Sequence, residues 1–240
     1  MRDKPAAFFY AAGMKTKKSV CFRQPTPDEQ QILAQVNVRL IAADEVERFD
    51  QLITEHHYLK SAQLVGEQLR YVAEYRGQWL VLASWSAAAL HLKARDRFIG
   101  WNEEQRRTRL PLVVNNSRLL VLPLCQYPNL ISRFMKLMLA RLSQDWEQNW
   151  GHPVALAETF VDPHLYQGTA YKASGWNQLG QTAGWKRSAE DFYQKHERPK
   201  QIWVRELVPN ACRKLCVPQL PPEWRKVEEK ARPHCTAKAQ

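Results

Sequence analysis

Two carboxylates stand four residues apart at the end of an apolar stretch, "PVALAETFVD". Glu158 and Asp162 lie on the same side of an extended segment, at the end of a predicted buried strand, where open α/β sheets bind ligands. Such a pair could hold Mg²⁺ or supply acid–base groups for hydrolysis. Alternatively, Glu158 pairs with an arginine from "RLLVLP" or "QRRTR", and Asp162 caps the turn before Pro163. The sequence leaves both interpretations open.

A second set of residues combines cations, amides and indoles, the side chains that contact nucleic acid. "QRRTR" places three guanidinium groups within about one helical turn, where they repel one another unless an anion shares them. "NNSR" adds amides suited to phosphates or base edges, and "GWKR" adds an indole suited to stacking on an unpaired base. The alternative is a hydrated basic face, with Asn115 and Asn116 in a turn. The predicted nucleic-acid contacts are Trp101, Arg106, Arg107, Arg109, Asn115, Asn116, Arg118, Trp185, Lys186 and Arg187.

The turn "LPLCQYPNLIS" precedes the clearest helical pattern of the chain. A helix N-terminus exposes unpaired N–H groups and the positive end of the helix dipole, so it can hold a phosphate. This turn contains Pro128 and no glycine. The alternative is that Asn129 caps its own helix.

Cysteines and histidines do not predict a metal site. The five cysteines are scattered and odd in number, which indicates reduced thiols in a reducing compartment. "CRKLC" and "HC" offer four possible metal ligands near the end of the chain, but the second pair is adjacent. His56 and His57 are neighbours on a predicted helix and point in different directions, so they cannot readily share one metal.

The charge balance suggests a polyanionic partner. Lys and Arg number 35 against 24 Asp and Glu, a net charge of +11, and nucleic acid is the first candidate for such a surplus. The alternative is that the charge mainly keeps the protein soluble. No apolar run approaches the roughly 20 residues that cross a bilayer. "PAAFFYAAGM" precedes its basic cluster "KTKK", the reverse of a secretory signal, so we expect a cytoplasmic protein with no membrane partner.

Periodicity predicts the elements that position these residues. "PTPDEQQILAQVNVRLI" indicates a helix with Thr26 as N-cap, and "DEVERFDQLITEHHYL" a second helix. "QLRYVAEY" and "QWLVLASWSA" indicate a hairpin, "WNEEQRRTRL" a short helix, and "SRLLVLP" a buried strand. "NLISRFMKLMLARLSQDWEQNW" indicates a long helix ended by Gly151, before the strand "PVALAETFVD". "GTAYKASG" indicates a short helix, and "NQLGQT" and "QIWVREL" the last strands.

This order predicts an α+β fold with a mixed, mostly antiparallel central sheet flanked by helices. Residues 117–161 form a strand, a crossover helix and a parallel strand, a unit that should be right-handed. We expect residues 1–24 to be a loose basic leader and residues 25–208 to be a single domain. Residues 209–240 are expected to be a basic, Pro-rich and poorly packed tail.

The order of elements resembles the GNAT-type acetyltransferase fold. In that fold a hairpin precedes the key strand, the crossover helix begins at a pyrophosphate-binding turn, and the next strand splays away. "AYKASGW" matches the Tyr-containing helix that ends in Gly-Phe, so the resemblance implies Tyr171 as a general acid, or otherwise as a core residue. The glycine-bearing "QxxGxG"-like turn of those enzymes is missing, so the sequence predicts no cofactor.

A closer resemblance covers most of residues 26–208. "GWNEEQRRTRLPLVVNNSRLLVLP", "NLISRFM", "RLSQDW", "ETFVDPHLYQGTAYKASGWNQLGQTAGWKR" and "PKQIWVREL" together resemble the family that contains the DruA protein of the Druantia anti-phage system. Related domains occur in transposase-like proteins of mobile elements. The resemblance implies a prokaryotic genome-defence or mobile-element protein and assigns no reaction.

The predicted function is therefore a nucleic-acid-engaging component of an anti-phage or mobile-element system. Its expected partners are DNA or RNA and other subunits of a defence system. One alternative is an acyl- or aminoacyl-transferase that uses Tyr171 and Glu158 around a pocket between splayed strands. Another is a metal-assisted nuclease that uses Glu158 and Asp162. A third is an interaction subunit that docks through "AAFFYAA".

Overall fold

The computed structural model describes residues 23–182, 185–187, 193–195 and 198–231, with the backbone alone for 185–187 and 193–195. All but the last two residues of the predicted leader lie outside these ranges. No helix in the described part of the chain is both long enough and apolar enough to cross a membrane.

Seven strands form one sheet in the order β1-β2-β3-β4-β5-β9-β6, and β7 and β8 form a separate pair. Within the large sheet, β4 and β5 are parallel and the other neighbouring strands are antiparallel. The strand bounds are β1 Asn37–Leu40, β2 Gln68–Tyr75, β3 Gln78–Ala87, β4 Val113–Val121, β5 Leu156–Val161, β6 Asn177–Gln181, β7 Trp185–Arg187, β8 Tyr193–Lys195 and β9 Gln201–Glu206.

Eight α-helices lie within the described ranges, with short 3₁₀ turns at Ala43–Glu45, Leu110–Leu112 and Pro222–Trp224. Their bounds are α1 Pro27–Gln35, α2 Val46–His56, α3 Lys93–Ile99, α4 Glu103–Arg109, α5 Leu130–Trp150, α6 Thr169–Ala173, α7 Ala211–Cys216 and α8 Arg225–Ala231. Thr26 accepts a hydrogen bond from the Glu29 N–H, and the Glu29 carboxylate accepts one from the Thr26 N–H. This capping box confirms the predicted start of α1.

The predicted GNAT-like α+β fold is confirmed by this topology. The β2–β3 hairpin precedes β4, the 21-residue helix α5 crosses over to the parallel strand β5, and the short helix α6 follows. A sheet that contains a parallel crossover unit is covered by helices, so its central strands are buried on both faces. β3 is accordingly buried along eight consecutive residues.

Two apolar clusters hold the layers together. The larger one joins β2, β3 and α2 to a face of α5 on which Phe134, Met138 and Leu142 are fully buried. The smaller one lies where α3, α7 and α8 cover β4, β5 and β9. Successive residues along a strand alternate between the two faces of the sheet, so consecutive side chains of β5 point to different layers.

The structure corrects the sequence prediction at both ends of the domain. The first predicted helix stops at Gln35 and Asn37–Leu40 forms β1, because pairing with β2 overrides the helical pattern of "NVRL". The expected poor packing beyond Pro209 is wrong for residues 211–231. Leu215, Leu220 and Trp224 are buried there, since these apolar residues, spaced among the charges, fill the smaller cluster.

Candidate active site

A fork opens in the sheet where β4 and β5 separate. Parallel pairing joins Val113–Asn116 to Leu156–Thr159 and is not found beyond these residues in the described strands. Opposite β3, Ser84 pairs with Arg118 and Trp85 with Asn116, so Ser117 is an extra residue in β4. Such a bulge bends its strand and disturbs the ladder. The bulge therefore bends β4 where it separates from β5.

A cleft of about 710 Å³ occupies the fork. Its walls come from the segment after α2, the second half of β4, the start of α5, the end of β5 and the segment that leads into α6. The residues that line it include His57, Tyr58, Asn116, Ser117, Thr159, Asp162, Tyr166, Gly168 and Tyr171.

Three polar side chains meet at the buried base of the fork. The Tyr171 hydroxyl donates to Asn116 Oδ1 at 2.7 Å, and the Thr159 hydroxyl donates to the Asn116 carbonyl at 2.9 Å. Thr159 Oγ1 also lies 3.4 Å from the Tyr171 hydroxyl. Burial raises the pKa of Tyr171, so its hydroxyl stays protonated at physiological pH. The base of the cleft therefore carries a neutral hydrogen-bond donor.

His57 and Tyr58 give the cleft a polar wall. Burial, followed by the positive charges of Arg118 and Lys200, lowers the pKa of His57 to about 4. The Leu59 N–H donates to His57 Nδ1 at 3.3 Å, so the neutral ring carries its proton on Nε2. His57 is thus a hydrogen-bond donor at neutral pH, a role that no pattern in the sequence predicts.

Asp162 lines the cleft and also shapes its rim. Its Oδ1 accepts the His164 N–H at 3.0 Å, as the turn-capping interpretation expected. The following turn leads to Gly168, whose φ is +71°. A Cβ there would lie 2.5 Å from a ring atom of Trp203, so the chain can pass this point only as glycine.

The start of α5 differs from the expected side-chain cap. Asn129 occupies the N-cap position with φ 64°, and its side chain makes no cap hydrogen bond. Side chains that cap helices usually do so from an extended backbone, which the left-handed Asn129 does not have. Because asparagine tolerates this conformation, the chain turns into α5 without a glycine.

Glu158 does not line the cleft with Asp162, so the catalytic interpretation of the two carboxylates is wrong. It forms an ion pair with an arginine, as the alternative interpretation expected, but the partner is Arg95 and not an arginine of "RLLVLP" or "QRRTR". Its Oε2 accepts Arg95 Nη1 at 2.8 Å, and its Oε1 accepts the Ala89 N–H at 2.7 Å. Both charged side chains are fully buried. Burial raises the pKa of Glu158, and the Arg95 guanidinium opposes that shift. Thr159, the next residue of β5, lines the cleft, whereas both carboxylate oxygens of Glu158 are taken by Arg95 and the Ala89 N–H on the other face of the sheet. Glu158 therefore cannot share a metal ion with Asp162, and a nuclease built on these two residues is also wrong.

The predicted cationic surface on α4 does not form as expected. Arg109 is buried, bonds Glu228 Oε1 at 2.5 Å and donates to three carbonyls of residues 215–218, so it fixes the C-terminal segment. Arg106 donates to the Leu90 carbonyl, and Arg107 is exposed. Trp101 is buried and donates to Asp96. Of the three arginines predicted to bind an anion together, Arg107 is exposed, Arg106 is half-buried and Arg109 is buried, so they do not form one cationic surface.

The remaining predicted contacts have different positions. Asn115 and Asn116 lie in β4 and not in a turn, and Asn116 is buried at the base of the fork. Arg118 donates to the carbonyls of Ser61, Ser117 and Gln63, which ties the segment after α2 to the sheet. The side chains of the predicted contacts in β7 lie outside the described residues; these are Trp185, Lys186 and Arg187.

The family model of the Druantia protein DruA matches residues 14–211, which include the fork, the polar cluster at its base and α6. The chain belongs to the DruA family. The resemblance noted in the motifs is thereby confirmed. A comparison of this DruA-family chain with curated proteins found no match.

Solved acetyltransferases are similar to the DruA-family chain at low identity. Aminoglycoside acetyltransferase AAC(6')-Ib, in complex with coenzyme A and kanamycin, is 17% identical over 73% of this chain and 96% of its own, with a TM-score of 0.47. The polyamine N-acetyltransferase of Drosophila melanogaster is 14% identical over 71% and 99%, with a TM-score of 0.43. The spermidine N-acetyltransferase of Vibrio cholerae, in complex with CoA and spermine, is 9% identical over 72% and 96%, also with a TM-score of 0.43. The GNAT-like fold of the chain rests on its own sheet order.

Proposed function

We propose that this DruA-family chain acts in prokaryotic anti-phage defence and that its fork binds an acyl donor, from which it transfers the acyl group to a nucleophile. The observation that carries this proposal is the Tyr171 hydroxyl at the base of a 710 Å³ cleft between diverging strands. The defence role is drawn from the family name, and the transfer reaction from the geometry of the fork.

The chemistry requires stabilisation of the negative charge that develops on the acyl oxygen or on the departing thiolate. Tyr171 remains protonated because burial raises its pKa, so it serves as a hydrogen-bond donor to that charge and not as the acid that loses its proton. When the hydroxyl turns from Asn116 Oδ1 to the ligand, the 2.7 Å hydrogen bond is exchanged for a charge-assisted one.

Asp162 is the carboxylate placed to receive the proton of the nucleophile. It is 4% exposed, and its Oδ1 is held by the His164 N–H, which fixes the orientation of the carboxylate beside the cleft. The nucleophile forms the new bond to the acyl carbon, the bond to the leaving group breaks, and the proton passes through Asp162 to the leaving group.

Calorimetric titration of acetyl-CoA, followed by detection of released thiol, tests this function. We expect saturable binding, and we expect Tyr171→Phe to lower thiol release at least about tenfold, since it removes one donor to the developing charge. Tyr166→Phe is the matched control, because Tyr166 also lines the cleft but is 53% exposed. No heat at millimolar acetyl-CoA, or equal thiol release by both variants, would contradict the proposal.

A second candidate function is binding of a nucleic-acid strand along the rim of the same cleft. The specific observation is that Arg118 and Lys200 lie near His57 at this rim: burial is the main reason that the pKa of His57 is lowered, and the positive charges of these two residues lower it further. Tyr58 lies 5.6 Å from Tyr166 between ring centres, and Lys200 Nζ lies 6.0 Å from the Tyr58 ring. Aromatic rings beside cations suit the stacking of unpaired bases.

Fluorescence anisotropy with a labelled single-stranded oligonucleotide tests this second function. Affinity should fall steeply between 50 and 200 mM salt (on the order of tenfold per few phosphate contacts). Tyr166→Ala should weaken binding by about tenfold, since base stacking is worth about 1–3 kcal/mol. Leu165→Ala, at a neighbouring exposed side chain, is the control. A salt-independent signal, or equal loss in both variants, rules the second function out.

A further inference from the structure

A second cavity, of about 600 Å³, lies between α5 and the chain that follows α6. One wall is a single face of α5, formed by Ser132, Lys136, Leu139 and Ala140 at helical spacing. The other wall is formed by residues 173–175 and 205–207. Residues 168–171 line the cleft, whereas residues 173–175 line this cavity, so α6 separates the two spaces.

Two cations face the second cavity without a partner in the described chain. Lys136, which is exposed, and Arg205, which is half-buried, line the cavity, and their side chains form no hydrogen bond or ion pair with any residue that the structure describes. Gly175 makes room for the guanidinium, because a Cβ there would lie 2.8 Å from Arg205 Nη1. The arginine is thus held against the backbone beside the cavity rather than by a carboxylate.

The one carboxylate among the lining residues does not neutralise these cations. Glu206 follows Arg205 in β9, and consecutive strand residues point to opposite faces. Its Oε1 accepts the Cys212 N–H at 2.9 Å, on the face that α7 covers. The cavity therefore keeps its positive charge.

An unsatisfied hydroxyl completes the donor set. Ser174 Oγ is buried and has no hydrogen-bond partner among the described residues. A buried polar atom without a partner is costly, and such groups in native proteins usually contact water, an ion or a ligand. Ser174 lines the same cavity as Lys136 and Arg205.

We propose that the second cavity binds the phosphoryl group of a phosphate monoester. An arginine and a lysine supply charged donors, of which the guanidinium fits phosphate in a bidentate manner, and a hydroxyl supplies a third contact. The space exceeds that of a bare phosphate ion, so the phosphoryl group carries a substituent of about nucleoside size. A free nucleotide and the 5′-phosphorylated end of a strand share this chemistry.

Calorimetry with two probes tests the site and separates the two sources. Adenosine monophosphate represents the free nucleotide, and a single-stranded oligonucleotide with and without a 5′-phosphate represents the strand end. Binding of either phosphorylated probe supports the site, and the tighter one names the source. Failure of both probes to bind at millimolar concentration overturns the proposal.

Charge variants assign the binding to this cavity. Replacing both cations, with Arg205→Gln and Lys136→Gln, should weaken binding of the phosphorylated probe at least about tenfold. Arg107→Gln removes one exposed arginine elsewhere and should have little effect. Unchanged binding in the double variant, or an equal loss in the control, overturns the proposal. Tyr171→Phe should leave this binding unchanged, so failure of the acyl-transfer function would not affect the result.

Ser174→Ala separates ligand binding from folding. Because Ser174 Oγ bonds to no described residue, its removal should leave the midpoint of urea unfolding unchanged or higher. The same variant should weaken binding of the phosphorylated probe several-fold. A variant that binds the probe as tightly as the unmodified chain would exclude the hydroxyl from the site and contradict the proposed donor set.

Discussion

The buried pair of Glu158 and Arg95 allows the sharpest test of whether Glu158 is structural. The change is Glu158→Gln, which keeps the shape of the side chain and removes its charge. Glu158 Oε2 lies 2.8 Å from Arg95 Nη1, and both side chains are fully buried. The variant therefore removes the carboxylate that pairs with Arg95 Nη1 and leaves this nitrogen of the buried guanidinium without a charged partner.

Removing one partner of a buried ion pair costs about 3–5 kcal/mol. Arg95 retains Asp96 Oδ1, at 2.8 Å from Nη2 and 3.0 Å from Nε, and the glutamine oxygen can still accept the Ala89 N–H. These remaining contacts place the expected loss at the lower end. We expect the free energy of unfolding to fall by about 3 kcal/mol.

Urea denaturation of the purified protein measures this loss. Glu103→Gln is the matched control, because the Glu103 side chain is 90% exposed and its change should stay within about 0.5 kcal/mol. A double variant with Glu158→Leu and Arg95→Met should be more stable than Glu158→Gln alone, since replacing both charges avoids an unpaired one. Equal stability of Glu158→Gln and Glu103→Gln would refute the structural role.

Three further perturbations have expected results. The pKa of His57 falls from 6.5 unfolded to about 4 folded, so the unfolded state binds its proton first as the pH drops. Stability should therefore decrease from about pH 6.5 to 4, by up to about 3 kcal/mol, and His57→Gln should flatten this decline in urea titrations. Gly168→Ala should cost at least about 1 kcal/mol more than Gly77→Ala, because both have a positive φ but only the former Cβ meets a side chain; equal losses would contradict this. Arg109→Gln should cost about 3 kcal/mol and speed proteolysis of the C-terminal helices, whereas Arg107→Gln should change neither. Equal digestion of these two variants would contradict the role of Arg109.

The sequence predicts the fold well because its elements are strongly patterned. The hairpin, the long helix α5 and the last strands of the sheet follow from periodicity and turn residues, as does the start of α1 at Thr26. β1 is missed because its four residues continue a helical pattern, and only pairing with β2 makes them a strand. α7 is missed because its apolar residues are few, and their burial depends on distant strands.

The site is less predictable, since it depends on which face each residue occupies. The resemblance points to Tyr171, whose catalytic role stays a prediction. The sequence instead predicts that its hydrogen-bond partner Asn116 contacts nucleic acid, because no sequence pattern reveals the bulge at Ser117. In the sequence alone, Glu158 and Arg109 are candidates for a functional role because they are charged. In the structure each pairs with a residue far away in the chain, Glu158 with the buried Arg95 and Arg109 with the half-buried Glu228. No pattern of neighbouring residues in the sequence predicts such a pairing.

Hydrogen exchange with and without acetyl-CoA tests the central claim most directly, that the fork between β4 and β5 is the ligand site. We expect slower exchange in peptides that cover residues 116–131 and 157–171, which form the walls and base of the cleft. Unchanged exchange in both peptides, under conditions where the ligand is bound, would contradict the claim.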